Sequence, residues 1–246
     1  MPGDRVVVVT GGSQGIGRAA ANRFAAEGAR VVISARTPER AEAAAKEIGA
    51  AAIGLPLVLQ SPSSCRQFAS ALAAQAGQVD VLVNNAAAFP RGTVAEMDER
   101  AWLDAFDVNV HGVFRLTRLL LPHLRRPGAC IVNLVSGLAV TGGYSTGAYA
   151  ATKAALIALT RTLGIELAAE GIRVNALSPG VVDTELLNAA YSPAERTKIL
   201  SGMPGGKAGA PEDVAGTIAY LASAASHPMT GQVVFLRTPV ALGAPK

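Results

Sequence analysis

The stretch Val6-Val7-Val8-Val9-Thr10-Gly11-Gly12-Ser13-Gln14-Gly15-Ile16-Gly17 decides the fold. Four consecutive valines read as a strand buried on both faces. A glycine-rich turn follows, and residues 16–27 carry a helical pattern stopped by Gly28. Missing Cβ atoms at Gly11, Gly15 and Gly17 let the backbone turn sharply and approach a pyrophosphate closely. The helix N-terminus behind them offers N–H groups and the positive end of its dipole. Glycines also serve ordinary turns, so the weight comes from the strand–turn–helix context.

The same alternation continues outward. Strands are expected at 30–35, 53–59, 79–83, 129–135, 172–177 and 232–236. Helices are expected at 38–48, 63–75, 99–124 (interrupted near Pro122), 148–170 and 211–223. Such βαβ repetition with right-handed crossovers predicts a single α/β domain over 1–246, a doubly wound parallel sheet in three αβα layers. The least regular stretch, 181–210, holds Pro193, Gly202, Pro204, Gly205, Gly206 and Gly209. It is equally open to a lid over a ligand and to a plain surface excursion.

Composition narrows the function. Of 246 residues, 50% are hydrophobic and 16% charged, enough for a large doubly covered core; with aromatics at 4%, that core must be built from Ala, Val, Leu and Ile. The formal charge of +4 comes without a basic run longer than Arg125-Arg126, which argues against nucleic-acid binding. Cys65 and Cys130 do not make a disulfide framework, and His111, His123 and His227 fit no metal motif. No window reads as a signal core or a membrane span, so a soluble cytoplasmic protein is expected.

Twelve residues separate Ser136 from Tyr149, and Lys153 follows Tyr149 by one helical turn, which places the last two on one face. A free tyrosine titrates near pH ~10, and a neighbouring ammonium lowers that value toward useful acid/base chemistry. Ser136 follows the fifth strand, whose carboxyl end faces the same crevice as the glycine turn. After the second strand stands Ser34-Ala35-Arg36-Thr37, with no carboxylate to grip two ribose hydroxyls. Arg36 suits a 2′-phosphate instead, so NADP(H) is favoured, with NAD(H) possible.

On these residues the chain resembles the short-chain dehydrogenase/reductases, a Rossmann-fold family, from about Arg5 to Gly231. The family's T-G-x-x-x-G-x-G corresponds to Thr10–Gly17, its N-N-A-G to Asn84-Asn85-Ala86-Ala87, and its helix asparagine to Asn109. Its catalytic trio corresponds to Ser136, Tyr149 and Lys153, and its P-G-x-x-x-T to Pro179-Gly180-Val181-Val182-Asp183-Thr184. The resemblance implies hydride transfer between a nicotinamide and a ketone or secondary alcohol. Tyr149 would be the acid/base, Ser136 would polarise the carbonyl, and Lys153 would tune the phenol and bind ribose. Asn109 would hold a relay water. Thr10, Gly11, Ser13, Gln14, Gly15, Ile16, Gly17, Arg36, Leu59, Asn85 and Ala86 would surround the cofactor. Pro179, Gly180, Val182 and Thr184 would fix its carboxamide end. No metal is implied. A homotetramer is, with a dimer possible.

Three departures stand out. Val58 replaces an aspartate that reads adenine, Ala87 replaces a glycine, and the tail Leu236-Arg237-Thr238-Pro239 replaces D-G-G. Substrate contacts are expected from 88–92, 137–147 and 186–203, including Leu138, Val140, Tyr144, Leu186, Leu187 and Met203. These suit a small or moderately apolar carbonyl. Reduction of a 3-oxoacyl thioester is the alternative. Arg126 sits where carrier-dependent relatives use a basic residue, but Glu170 stands where another arginine would be. A non-catalytic dinucleotide sensor is the competing class, and the presence of both Tyr149 and Lys153 argues against it.

Overall fold

The computed structural model describes residues 5–236. The valine run forms strand β1 (Val6–Val9), paired in parallel with β2 (Arg30–Ala35) on one side and β4 (Val81–Asn84) on the other. Val7 and Val9 join the core on one face of the sheet, Val6 and Val8 the core on the other. This period of two explains why an unbroken apolar run suits a strand covered from both sides. With β3 (Ala52–Pro56), β5 (Cys130–Leu134), β6 (Arg173–Ser178) and β7 (Val233–Phe235), the described residues form one parallel sheet of order β3-β2-β1-β4-β5-β6-β7. The order in which successive strands are added reverses between β1 and β4, which opens a crevice at the carboxyl ends of those strands.

Helices α1 (Gly15–Ala26), α2 (Pro38–Ile48) and α10 (Pro211–Leu221) cover one face. The other face packs α3 (Pro62–Ala76), α5 (Val113–Leu120) and α7 (Gly147–Glu166). Phe24 and Phe68 are wholly buried, one in each layer, and each burial is worth about 1.5–3 kcal/mol. The expected three-layer α/β architecture is therefore the observed one.

Two local expectations need correction, and one segment for which no element was expected holds a helix. The long helix over 99–124 is interrupted twice. Between α4 (Glu99–Phe106) and α5 lies a π-helical turn, Asp107–Gly112, and Pro122 sits in a 3₁₀ turn, Leu121–His123. The π turn packs on the loop after β3: a Cβ on Gly112 would lie 2.6 Å from the Leu59 Cβ and 2.8 Å from its carbonyl oxygen. Secondly, 137–147 contains a short helix, α6 (Leu138–Thr141). Thirdly, the stretch 181–210 holds two helices, α8 (Glu185–Ala190) and α9 (Pro193–Ser201). Thr184 caps α8. Ser192 and Glu195 form a capping box on α9, with Pro193 in its first turn. Proline there starts a helix, whereas the sequence reading counted it as irregularity. The ends of this excursion are tied together, with Asp183 N–H donating to Gly209 O at 3.0 Å and Gly209 N–H to Val181 O at 2.9 Å. The tail expectation at Pro239 lies outside the described residues.

Candidate active site

The glycine turn is braced from beneath. Thr10 Oγ1 accepts from Asn85 N–H (2.9 Å) and Ala86 N–H (3.1 Å). Asn85 Nδ2 donates to the carbonyls of Thr10 (2.9 Å) and Gly11 (3.2 Å), and Ser34 Oγ accepts from Gly11 N–H at 3.2 Å. Thr10 and Asn85 therefore hold the cradle in shape, the Thr10 hydroxyl and the Asn85 amide nitrogen being spent on backbone groups. A Cβ on Gly17 would stand 2.4 Å from both Asn85 Nδ2 and the Gly11 oxygen, so only glycine fits there. Gln14 occupies the N-cap of α1 without a side-chain cap, and the first turn carries no acidic residue. Its N–H groups are left for an anion, and this end of the crevice fits a dinucleotide pyrophosphate.

Beyond β2, Arg36 is exposed and makes no side-chain hydrogen bond or ion pair among the described residues. Arg40, which the sequence reading passed over, donates from Nη2 to Gln14 Oε1 at 3.0 Å and places a second cation on this side. The adenine end is plainer. Val58 N–H is taken by Ser64 Oγ at 2.9 Å, and the Leu59 carbonyl accepts from Arg115 Nη1 at 2.9 Å. The Leu59 N–H has no partner among the described residues, so its backbone keeps one donor for a base.

At the mouth of the crevice lies a cavity of about 550 Å³. Its wall includes Ile16 and Asn85 from the cradle, Ser136 beyond β5, Tyr149 and Lys153 from α7, and Thr184. Ser136, Tyr149 and Lys153 thus share one space with Ile16 of the turn, while Ser13, Gln14 and Gly15 line a second pocket that also includes Thr184. Pro179, Gly180 and Val182 line the first too. Thr184 Oγ1 donates to Val182 O at 3.4 Å and accepts from Leu187 N–H at 3.3 Å.

Tyr149 is 8% exposed and Lys153 2%. Lys153 Nζ donates to Leu134 O at 2.7 Å and lies 5.5 Å from the Tyr149 ring centre. Burial pushes the Lys153 ammonium down to about 8. The expected lowering of Tyr149 by Lys153 is not met here. Burial dominates and pushes the phenol above its ordinary value, Tyr191 adds to the rise, and the Ser136 hydroxyl opposes it.

Asn109, fully buried in the π turn, fastens the segment after β4 to α7. Its Oδ1 accepts from Ala88 N–H (2.8 Å), and its Nδ2 donates to Ala88 O (2.8 Å) and Thr152 Oγ1 (3.0 Å). Both amide hydrogens are spent inside the protein, so its side chain can only accept toward a relay water. That narrows the relay role expected from sequence.

On the substrate side, Leu138, Val140, Leu186, Leu187 and Met203 line the cavity as expected. Tyr144 does not; it is 82% exposed. Sequence reading did not single out Phe89 and Tyr191. Phe89 stacks on Tyr149 with centroids 4.1 Å apart and meets Tyr191 edge-on at 5.8 Å. Arg91 lies over the Tyr191 ring at 4.1 Å, donates to Ala190 O at 3.3 Å and pairs with Glu195 at 3.2 Å. The available signal was scarcity: in a chain so poor in aromatics, two fall in segments already assigned to substrate.

Elsewhere, Arg126 and Glu170 form an ion pair, so the two residues weighed for carrier docking neutralise each other. Cys65 and Cys130 are buried free thiols. Among the described residues no His/Cys/Asp/Glu cluster could hold a metal, and no helix is long and apolar enough to cross a membrane.

A family model described as enoyl-(acyl carrier protein) reductase matches residues 11–237. The 3-oxoacyl-(acyl-carrier-protein) reductase FabG of Escherichia coli (strain K12) is 33% identical over 231 residues, 94% of each chain. That of Thermotoga maritima is 35% identical over 238 residues, 94% of this chain and 95% of the relative. Among solved structures, a 3-ketoacyl-(acyl-carrier-protein) reductase from Brucella melitensis complexed with NADH superposes with a TM-score of 0.89. It is 31% identical, with 96% of this chain and 98% of that chain covered. A short-chain dehydrogenase/reductase of the glucose/ribitol dehydrogenase type from Brucella melitensis gives the same TM-score at 31% identity, over 95% of each chain. With Ser136, Tyr149 and Lys153 lining one cavity with Ile16 of the glycine turn, the chain belongs to the short-chain dehydrogenase/reductase family and is a nicotinamide-dependent oxidoreductase that interconverts a ketone and an alcohol.

Proposed function

We propose that the protein reduces apolar ketones with NADPH, 3-oxoacyl thioesters foremost, using Tyr149 as proton donor. The observation that carries this reading is the cavity shared by Ser136, Tyr149, Lys153 and Ile16, joined through Thr184 to the pocket lined by Ser13, Gln14 and Gly15 of the cradle. When bound, the nicotinamide supplies the hydride. The protein's own groups do the rest. Burial keeps the Tyr149 phenol protonated, as a donor to a forming alkoxide must be. The Ser136 hydroxyl polarises the ketone oxygen beside that phenol. Lys153, held by Leu134 O, places its ammonium near the ring and within reach of a ribose. Asn109 keeps Ala88 and α7 in register around them. The cofactor surface follows the sequence assignment: Gly11, Ser13, Gln14, Gly15, Ile16 and Gly17 at the phosphates, Leu59 and Ala86 along the base and ribose side. Pro179, Gly180, Val182 and Thr184 take the carboxamide. Arg36, with Arg40 beside it, recognises the 2′-phosphate.

The relatives named for 3-oxoacyl substrates and the apolar wall of Leu138, Val140, Leu187 and Met203 support the thioester class. The Arg126–Glu170 pair removes a free cation from the face a carrier would approach, so the acyl group dominates recognition. The chain acts as one domain with 181–210 as its lid. Exposed Phe114 on α5 and Ile165 on α7 support self-association, as a tetramer or a dimer. A panel of simple ketones, a short 3-oxoacyl thioester and its carrier-linked form, followed by NADPH absorbance, tests the reading. Turnover is expected to be fastest for the two thioesters and similar between them. Absence of turnover across the panel would overturn it.

A further inference from the structure

We propose that the Tyr191 phenol is a specificity group, donating a hydrogen bond to a second oxygen of the substrate beside the reacting ketone. The inference rests on the ketone-reducing reading of the pocket and names what that pocket selects.

The polar atoms of the cavity can be assigned in turn. Ser136 and Tyr149 converge on the reacting oxygen. Lys153 Nζ is held at Leu134 O. Thr141 Oγ1 is turned back on the carbonyls of Gly137 (3.3 Å) and Gly142 (2.9 Å), and Thr184 Oγ1 on Val182 and Leu187. Ser178 ends β6 immediately before the Pro179-Gly180 segment assigned to the cofactor. Asn85 Oδ1 and Ser178 Oγ likewise have no hydrogen-bond partner among the described residues, but both stand in segments assigned to the cofactor; on the excursion side of the cavity, the hydroxyl left without such a partner belongs to Tyr191, a lining residue.

The ring's contacts do not account for that hydroxyl. The edge contact with Phe89 at 5.8 Å and the Arg91 guanidinium at 4.1 Å would be met equally by phenylalanine. A half-buried phenol usually finds a partner for its O–H, and a donor left unpaired in an apolar cavity carries a desolvation cost. Its place is nonetheless fixed. Phe89 touches both Tyr149 and Tyr191, so one ring packs against both phenols. Arg91 anchors the Tyr191 end to Ala190 O and Glu195. The hydroxyl is therefore presented at a set place relative to the proton donor, as recognition of a dioxygenated substrate requires. A β-oxo ester or thioester supplies its second oxygen next to the ketone. A plain ketone does not.

The test uses two probes differing by one oxygen: S-acetoacetyl-N-acetylcysteamine, and the ketone in which the thioester carbonyl is a methylene. The ratio of their kcat/KM values is compared between the parent protein and Tyr191→Phe, which keeps the ring and removes only the hydroxyl. The ratio is expected to fall roughly five- to tenfold, the worth of one hydrogen bond. A binding readout accompanies it: the Kd of the 3-hydroxybutyryl thioester on NADPH-loaded protein, a dead-end complex, should weaken by a similar factor. The Kd of its thioether analogue should change less than twofold. A ratio unmoved within twofold, or equal losses on both probes, would overturn the specificity role and leave ketone reduction standing. A parent protein inert to both probes would overturn the ketone reading, and this inference with it.

Discussion

The glycine cradle and the helical excursion at 181–210 face each other across one crevice, and they satisfy their polar atoms in opposite ways. In the cradle, the side chains of Thr10, Ser34 and Asn85 are committed to backbone groups of the turn or its neighbouring strand ends. Even the space for a Cβ at Gly17 is used. In the excursion, α8 and α9 are capped, but the ties across to the segment after β4 are few. They run through Arg91, and the Tyr191 hydroxyl has no hydrogen-bond partner among the described residues. The difference teaches which side is prepaid. Ordering costs of the charged ligand's site are met on folding, whereas the substrate side keeps contacts that are weak enough to open.

Tyr149 stands where the two sides meet, and its removal should have the largest effect. Tyr149→Phe is expected to lower kcat by roughly 10²–10⁴-fold, the range for a lost general acid. NADPH binding, followed by cofactor fluorescence, should stay measurable because the cradle's bracing does not involve the phenol. Retained turnover would remove Tyr149 from the chemistry. Loss of NADPH binding would show that the cradle is not independent of the substrate side.

Lys153 offers a test through stability instead of rate. Its ammonium sits at about 8 in the folded chain because burial disfavours the charge, against about 10.4 when unfolded. Below pH 8 both states hold the proton and the burial cost is present in full. Between the two values only the unfolded chain holds it, so the cofactor-free protein should gain stability as pH rises through this window. Lys153→Met removes the effect. The variant should be the more stable at pH 7, by about 3 kcal/mol at most at ~1.36 kcal/mol per pH unit, and the gap should close toward pH 10. Urea midpoints at several pH values measure it. A gap independent of pH would mean that Lys153 keeps an ordinary ammonium, and that the crevice is wetter than its packing implies.

Arg36 probes the cradle side alone. Arg36→Ala is expected to reduce the NADPH-to-NADH preference by roughly tenfold, mostly in cofactor KM, as loss of a charge-assisted contact to phosphate would do. An unchanged preference would shift the 2′-phosphate to Arg40, whose guanidinium is already tied to Gln14.

The same contrast explains what could be read from the chain. Valines alternating between two cores and glycines fixed by steric contact are local consequences of residue type, and the sheet and the cradle were legible from them. Tyr149 and Lys153 share a helix face, so their pairing was legible as well. The π turn at Asn109 was not, because it depends on Gly112 meeting Leu59, more than fifty residues away in sequence. Nor was the Tyr149–Phe89–Tyr191 arrangement, since its rings come from three segments that meet only when the sheet has formed. The rise in the Tyr149 pKa belongs to the same class: spacing identifies a neighbour, but only packing says how much water is removed.

The smallest effect should come from the tie that holds the excursion. Glu195→Gln keeps a side chain able to complete the capping box with Ser192 but removes the charge that pairs with Arg91. That pair lies near solvent, where screening leaves ion pairs weak. The expected outcome is a Tm change of no more than about 2 °C, with a two- to threefold rise in substrate KM as Tyr191 loses part of its anchorage. Cofactor affinity should stay level, because no contact of the cradle passes through Glu195. A Tm loss several times larger would place the excursion among the rigid parts of the molecule. The contrast with the cradle would then lie in their chemistry alone, and opening for substrate would have to come from elsewhere, the segment around Phe89 being the next element in contact with the phenol.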